Sequence, residues 1–288
     1  MKCGSITGNL RIVQLVSLIL FAGSVTVYGF NGTTQSHLSF IGPVTNYKVM
    51  YSLYLPLGYY RSTTKYPVIY FYGPRGSTGE PNNTFITTYE LARSNGKIGD
   101  AIIVFTNCDG ASFYHDNKDG TRPVATSIAV DLVNYINKTY RVKTNRGNRA
   151  AVGFSLGGGG SVSQWSKYDS IFSIAVDLDG AMDTWVQLAD SDHADNRKAM
   201  YEEDEAYFLT QSFWGTMPKN AAYLKANSFL LMVMGDHSPE NLLFIDSLKK
   251  YSIGYEYYET GCSHDLDCIL NHQYGKYVFE FIQTYFKE

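Results

Sequence analysis

The stretch Arg149-Ala150-Ala151-Val152-Gly153-Phe154-Ser155-Leu156-Gly157-Gly158-Gly159-Gly160 constrains this chain more than any other. Its first part is a buried-strand pattern, and the segment from Gly158 to Lys167 is a helix candidate, so Ser155 falls on a sharp strand-to-helix turn. A G-x-S-x-G turn of this kind exposes the serine hydroxyl as a nucleophile elbow. Glycine is needed on both sides because the serine backbone is strained and a Cβ at either neighbour would strike the adjoining strand or helix. In a chain with 26 glycines the five-residue pattern alone is weak, and the strand before it and helix after it give it weight. A phosphate cradle is the rival reading. It would need a terminal Lys-Ser/Thr, or a G-x-G-x-x-G followed by an acidic residue on a second strand, and the sequence has neither combination.

Around this turn, short apolar runs alternate with helix-like stretches from about residue 47 onward, the signature of βα units on a mostly parallel sheet. The strand candidates are Tyr47 to Leu55, as an edge strand beginning antiparallel, then Val68 to Tyr72, Ala101 to Thr106, Ala150 to Phe154, Ile174 to Val176, Phe229 to Met234 and Gly254 to Glu259. Helix candidates include Val124 to Asn137, Gly158 to Lys167, Asn241 to Tyr251 and Tyr274 to Phe286. At 288 residues and 44% hydrophobic, the chain has material for one large domain, assigned here to 30–288. Reactive groups in such a sheet belong at the carboxyl ends of strands.

The first 29 residues read differently. Lys2 and Arg11 precede the stretch Ile12 to Ala22, broken only by Gln14 and Ser17 and followed by small residues, as in a secretory signal peptide with its cut between Ala22 and Gly29. The apolar run is shorter than the roughly twenty residues of a membrane span, so no stable span is expected and the mature chain is expected outside the cell. Of the cysteines, Cys3 would leave with the leader, and Cys108, Cys262 and Cys268 remain for an oxidising compartment. Asn31, Asn82 and Asn137 head glycosylation triplets for a eukaryotic host. With 24 basic against 27 acidic residues there is no basic field for nucleic acid. No metal site or cofactor is expected: the Asp116 to Gly120 loop has Lys118 where calcium needs oxygen, and no C-x-x-C or H-E-x-x-H occurs.

A serine nucleophile needs a base and an acid, in the chain order serine, acid, histidine. His264 follows the run ending at Glu259 by a short loop and is the candidate base; His272 belongs to the approach of the last helix. Asp236 follows Phe229 to Gly235 directly, with room for one helix and one strand before His264, and is the candidate acid ahead of Glu240 and Asp246. A helix-capping role is its structural alternative. Leu156, first after the nucleophile, would supply an oxyanion N–H at the positive end of a helix.

From Tyr66 to the end the chain resembles the esterase family that includes esterase D, feruloyl esterases and the mycobacterial mycolyltransferases. The landmarks are Tyr66-Pro67-Val68-Ile69-Tyr70-Phe71, Asn107-Cys108-Asp109-Gly110 with Ser112-Phe113-Tyr114, the Ser155 turn, and Gly261-Cys262-Ser263-His264-Asp265. The resemblance implies an α/β-hydrolase fold, with Ser155 and His264 catalytic and Leu156 an oxyanion donor. For the acid it leaves two positions: the loop after the strand, at Asp236, and the mycolyltransferase helix position, at Asp246. One departure is Tyr72-Gly73-Pro74-Arg75-Gly76, where the family has His-Gly-Gly or Asp-Gly-Leu-Arg. Pro74 lacks an N–H, leaving Arg75 as the second oxyanion donor or a slower enzyme.

The segment 183–226 lacks sheet character and reads as a cap. Trp185 and Trp214 within it, together with Tyr114, are candidate substrate contacts for an aromatic acyl group or a sugar, although a Trp beside a helix is more often core. Cys108 is expected to pair with Cys262 or Cys268, with Cys262 to Cys268 equally allowed. The expectation is a secreted serine ester hydrolase acting on a small-molecule or polysaccharide-linked ester, such as feruloyl or acetyl esters. An acyltransferase and a catalytically impaired binding module are the alternatives.

Overall fold

A computed structural model of the chain describes residues 32–110, 112–190 and 194–287. The leader expected over 1–29, with Cys3, and the Asn31 triplet lie outside these residues. The strands are β1 (Thr33–Ile41), β2 (Lys48–Leu55), β3 (Val68–Tyr72), β4 (Ile102–Thr106), β5 (Arg149–Phe154), β6 (Ile174–Leu178), β7 (Phe229–Met234) and β8 (Glu256–Glu259). They form one sheet in the order β1-β2-β4-β3-β5-β6-β7-β8, antiparallel where β2 meets its two neighbours and parallel from β4 to β8. This is the α/β-hydrolase arrangement expected from the sequence.

The helices are α1 (Asn83–Ser94); α2 (Val124–Thr126), running through a π-helical stretch (Ser127–Leu132) into α3 (Val133–Thr139); α4 (Leu156–Lys167); α5 (Trp185–Asp190), α6 (Ala194–Tyr201), α7 (Glu205–Gln211) and α8 (Phe213–Asn227); α9 (Ser238–Lys250), α10 (Leu266–Asn271) and α11 (Gln273–Tyr285). Side chains alternate across the sheet as strand geometry requires. On β3, Ile69 and Phe71 join Phe85, Tyr89, Phe279 and Ile282 of α1 and α11, while Val68, Tyr70 and Tyr72 point to the other face with Ile128, Leu132 and Val133. On β7, Leu231 and Val233 face α11, and Leu230, Met232 and Met234 face Val162, Trp165, Met217 and Phe244 of α4, α8 and α9. Every strand from β3 to β6 is buried along its whole length, which is why these runs are mostly apolar, the exceptions being Thr106, Arg149 and Asp177.

Two elements differ from the sequence reading. The edge of the sheet is β1, and the run expected at the edge, β2, is the second strand in. Helix α1, for which the sequence reading had no candidate, starts at the Asn82 cap, whose side-chain Oδ1 accepts from Phe85 N at 2.8 Å. Of the four helices between β6 and β7, α8 lies in the layer on the sheet, and α5 to α7 cover its carboxyl-terminal end. None of the helices among the described residues is long and apolar enough to cross a membrane.

Candidate active site

Strand β5 ends at Phe154, and the chain turns into α4 through Ser155 at φ 59 and ψ −127, a left-handed value that strains a non-glycine residue. Packing explains the glycines around it. A Cβ on Gly153 would overlap the Gly157 carbonyl, and one on Gly157 the Tyr72 carbonyl at the end of β3. The next three glycines of α4 are walled by Asp177 and Gly180, the Ala181 carbonyl and the Tyr114 ring. The Ser155 backbone is tied on both sides, its N–H donating to Leu178 O at 3.1 Å and its carbonyl accepting from Gly158 N at 2.8 Å and Ala181 N at 3.1 Å.

The loop after β8 brings His264 to this turn. Its Nε2 lies 2.8 Å from Ser155 Oγ, and its ring stacks on Phe154 with centroids 4.7 Å apart. A disulfide between Cys262 and Cys268 brackets it, and the Asp265 side chain caps α10 by accepting from Cys268 N at 3.0 Å. The expected pairing of Cys108 is therefore corrected: Cys108 is a free, buried thiol whose Sγ donates to the Gly110 carbonyl at 3.0 Å.

The acid is also corrected. The carboxylate on His264 Nδ1 is Asp179, with its Oδ2 at 2.6 Å and its side chain fully buried. Asp236 is exposed and its Oδ2 accepts the backbone N–H of His264 at 3.2 Å, so it supports the loop rather than the ring. Asp246 points into solvent from α9 and pairs with Lys249; the Glu240 side chain lies outside the described part. Asp179 follows β6 immediately, one strand nearer to β5 than the position read from the sequence. A carboxylate at the carboxyl end of the run Ile174 to Val176 is the available signal in the sequence, the same signal that points to Asp236 one strand later.

Asp179 is held from four directions. Its Oδ1 accepts from Gly235 N at 2.7 Å and His237 N at 2.9 Å, and its Oδ2 accepts from both His264 and His237 Nδ1, the latter at 3.1 Å. Burial pushes this carboxyl up, but hydrogen bonds from the His237 side chain, the His264 side chain and the two backbone N–H groups outweigh burial and bring it down to about 2. An ionised Asp179 only accepts, which fixes the proton of His264 on Nδ1 and leaves Nε2 with the lone pair that faces Ser155. Deeper, Asp177 is fully enclosed; burial first and the Asp179 charge second push it up to about 8, so it is a neutral acid at pH 7.

Asp179, His237 and His264 are the one trio of donors among the described residues close enough for a metal ion. Both imidazoles, however, aim at a single oxygen at 2.6 and 3.1 Å. That is hydrogen-bond spacing, tighter than the roughly 3.3 Å between neighbouring ligand atoms of tetrahedral zinc with 2.0–2.1 Å bonds.

Leu156 is the first residue of α4, where a backbone N–H has no partner in its own helix. Its side chain is buried among Phe113, Leu188, Met200, Tyr201 and Phe208, so the cap helices seat on the residue after Ser155. The Arg75 turn is anchored by Ser77 N to Pro74 O at 3.0 Å and Gly76 N to Gly110 O at 2.9 Å, with the Arg75 side chain exposed. Trp185 and Trp214 are half-buried against the same cap cluster, Trp185 under Arg197 and Trp214 donating to Asp183 O at 2.9 Å. Tyr114 does not face a substrate: it is wholly buried, its ring at Gly160 and its hydroxyl on Gly73 O at 2.9 Å.

Comparison with known proteins fits this geometry. A family profile described as Putative esterase matches residues 42–247. A search of curated proteins finds no match. Among solved structures, a ferulic acid esterase superposes with TM-score 0.72 at 19% identity, covering 90% of this chain and 100% of its own. The fluorophosphonate-binding serine hydrolase FphF of Staphylococcus aureus does so at 0.70 and 18%, covering 87% and 98%. A ferulic acid esterase of Anaeromyces mucronatus in complex with ferulic acid reaches 0.63 at 16%, covering 88% and 91%. With a family match over most of its length on an α/β-hydrolase sheet, the chain belongs to the Putative esterase family.

Proposed function

We propose that this esterase is a serine carboxylic-ester hydrolase with Ser155 as nucleophile, His264 as base and Asp179 as acid. The observation that carries the reading is the unbroken relay from Ser155 Oγ through His264 Nε2 and Nδ1 to Asp179 Oδ2, at 2.8 and 2.6 Å. Ser155 Oγ attacks the ester carbonyl carbon while its proton passes to His264 Nε2. The oxyanion is met by Leu156 N–H and, with Pro74 lacking one, by the N–H of Arg75. Collapse expels the alcohol, which takes the proton from His264 and leaves an acyl-Ser155. Water, deprotonated by the same nitrogen, then releases the acid and restores the serine.

The substrate class we propose is a feruloyl or acetyl ester of a polysaccharide. Its support is the likeness to ferulic acid esterases together with two half-buried tryptophans, Trp185 on α5 and Trp214 at the start of α8, packed against the cluster that covers Leu156. Export from the cell is proposed on the leader sequence, and a disulfide beside the base is in keeping with an oxidising compartment. The test is labelling by a fluorophosphonate probe in wild type and Ser155→Ala, followed by hydrolysis of feruloyl, acetyl-xylan and short aryl esters. Labelling that survives in Ser155→Ala overturns the nucleophile, and turnover confined to the aryl esters overturns the substrate class.

A further inference from the structure

A triad carboxylate needs one imidazole, and Asp179 holds two. We propose that His237 is a positioning residue for the relay: it clamps Asp179 and competes with His264 for the carboxylate's charge. The proposal rests on the Ser155–His264–Asp179 reading above.

The geometry carries it as follows. A carboxylate has about four acceptor sites, and here all four are filled. His237 fills two of them, one on each oxygen: its backbone N–H binds Oδ1 at 2.9 Å and its Nδ1 binds Oδ2 at 3.1 Å. One residue thus grips both ends of the group and opposes rotation about the bond that would turn Oδ2 away from His264. His237 is itself fixed, since its carbonyl accepts from Asn241 Nδ2 at 2.8 Å and that same Nδ2 donates to Gly180 O at 3.1 Å, joining the loops after β6 and β7. The two imidazole rings meet edge to face with centroids 4.3 Å apart.

The competition follows from the shared oxygen. As Ser155 attacks, His264 becomes a cation and its N–H to Asp179 Oδ2 strengthens, while the His237 N–H on the same oxygen draws off part of that charge. Among the described residues, the charged and titratable groups around His237 include Asp179, His264, the enclosed Asp177, and Asp236 in the same loop. Removing the donor returns charge to His264. The acid side of the rate profile then moves to higher pH, although kcat falls because the carboxylate is less well held.

His237→Phe and His237→Asn separate these effects, because Asn Nδ2 stands where His Nδ1 does and donates without titrating. Expected for His237→Phe is a kcat about tenfold lower at unchanged KM. Its acid-side midpoint of kcat/KM should rise by about half a pH unit or more. His237→Asn should recover kcat to within about threefold of wild type. A kcat unchanged in both variants overturns the proposal, as does a loss in His237→Phe with an unmoved midpoint and no rescue by Asn. Nitrogen NMR of the histidines in the wild-type protein tests the same point without a variant: His237 carrying its proton on Nδ1 supports it, and a proton on Nε2 alone overturns it. Ser155-dependent labelling of the wild type establishes the underlying reading separately, so failure of one is distinguishable from failure of the other.

Discussion

Asp179→Asn is the substitution on which the assignment of the acid stands or falls. Asparagine keeps the shape, and its Oδ1 still accepts from Gly235 N and His237 N. At the other position it puts an NH2 where Oδ2 accepted from two imidazole nitrogens. Two donors cannot face two donors, so each ring moves its proton from Nδ1 to Nε2 and accepts from Asn. His264 then presents an N–H to Ser155 Oγ, 2.8 Å away, where the mechanism needs a lone pair. The fold tolerates the exchange while the base is lost, and the expected fall in kcat is about 10⁴, on the order of 5 kcal/mol in the barrier. Asp236→Asn is the control. Its remaining carbonyl oxygen still accepts from His264 N at an exposed site, so its cost is less than about threefold. The assay is kcat on a chromogenic acetate ester, with thermal unfolding to confirm that both variants are folded. A loss above a hundredfold in Asp236→Asn, with Asp179→Asn within about tenfold of wild type, would refute the reasoning.

Stability should depend on pH through two buried groups with opposite signs. Burial first, then the charge of Lys167, lowers His115 to about 3, while its Nδ1 and Nε2 bond Tyr201 of α6 and Ser163 of α4. A neutral folded histidine contributes stability that is fully present above the unfolded value near 6.5 and is lost as pH falls toward 3; urea unfolding should show about 2 kcal/mol less stability from this group at pH 4.5 than at 6.5, and His115→Gln should flatten that slope. Asp177, raised to about 8, acts the other way: it costs nothing below the unfolded value near 4 and progressively more up to 8. Asp177→Asn should therefore match wild type at pH 4 and exceed it at pH 8 by several kcal/mol, and a variant less stable at pH 8 would contradict the neutral-acid account. Losing the Cys262–Cys268 bridge, which closes a loop with a sequence separation of 6, should cost about 2 kcal/mol and lower kcat by loosening the His264 loop, measured by unfolding and turnover in Cys268→Ser. Gly157→Ala drives a methyl into the Tyr72 carbonyl, so soluble, folded protein with wild-type labelling would refute the close-packing explanation of the elbow.

The strands that could be read from the sequence are those buried on both faces. Val68 to Tyr72 and Phe229 to Met234 agree to the residue, because a strand covered by helices on each side is filled mostly by apolar side chains along its length. Strand β1 left no such trace: as the edge of the sheet it is mostly exposed, and its pairing is with backbone rather than core. The meeting of Ser155 and His264, proposed here as nucleophile and base, was legible for a different reason. A strained turn demands glycines, and a chemistry with a fixed order of residues leaves few histidines to choose from. The acid was not, and the sheet shows why. Strands β6 and β7 run parallel in register, Leu178 beside Val233, so the residues that follow them emerge side by side about 4.8 Å apart. Asp179 and Asp236 both come after Ser155 and before His264, and both sit at a strand's carboxyl end. What separates them is depth. Asp179 leaves its strand at once, with its N–H still on Val233 O, and stays buried, whereas Asp236 lies one residue further past its strand and reaches only the outer backbone of the His264 loop. No pattern along one chain records which of two adjacent strands ends lower. His237 was hidden by the same limit, since its role exists only because the loop after β7 wraps over a carboxylate that β6 supplies.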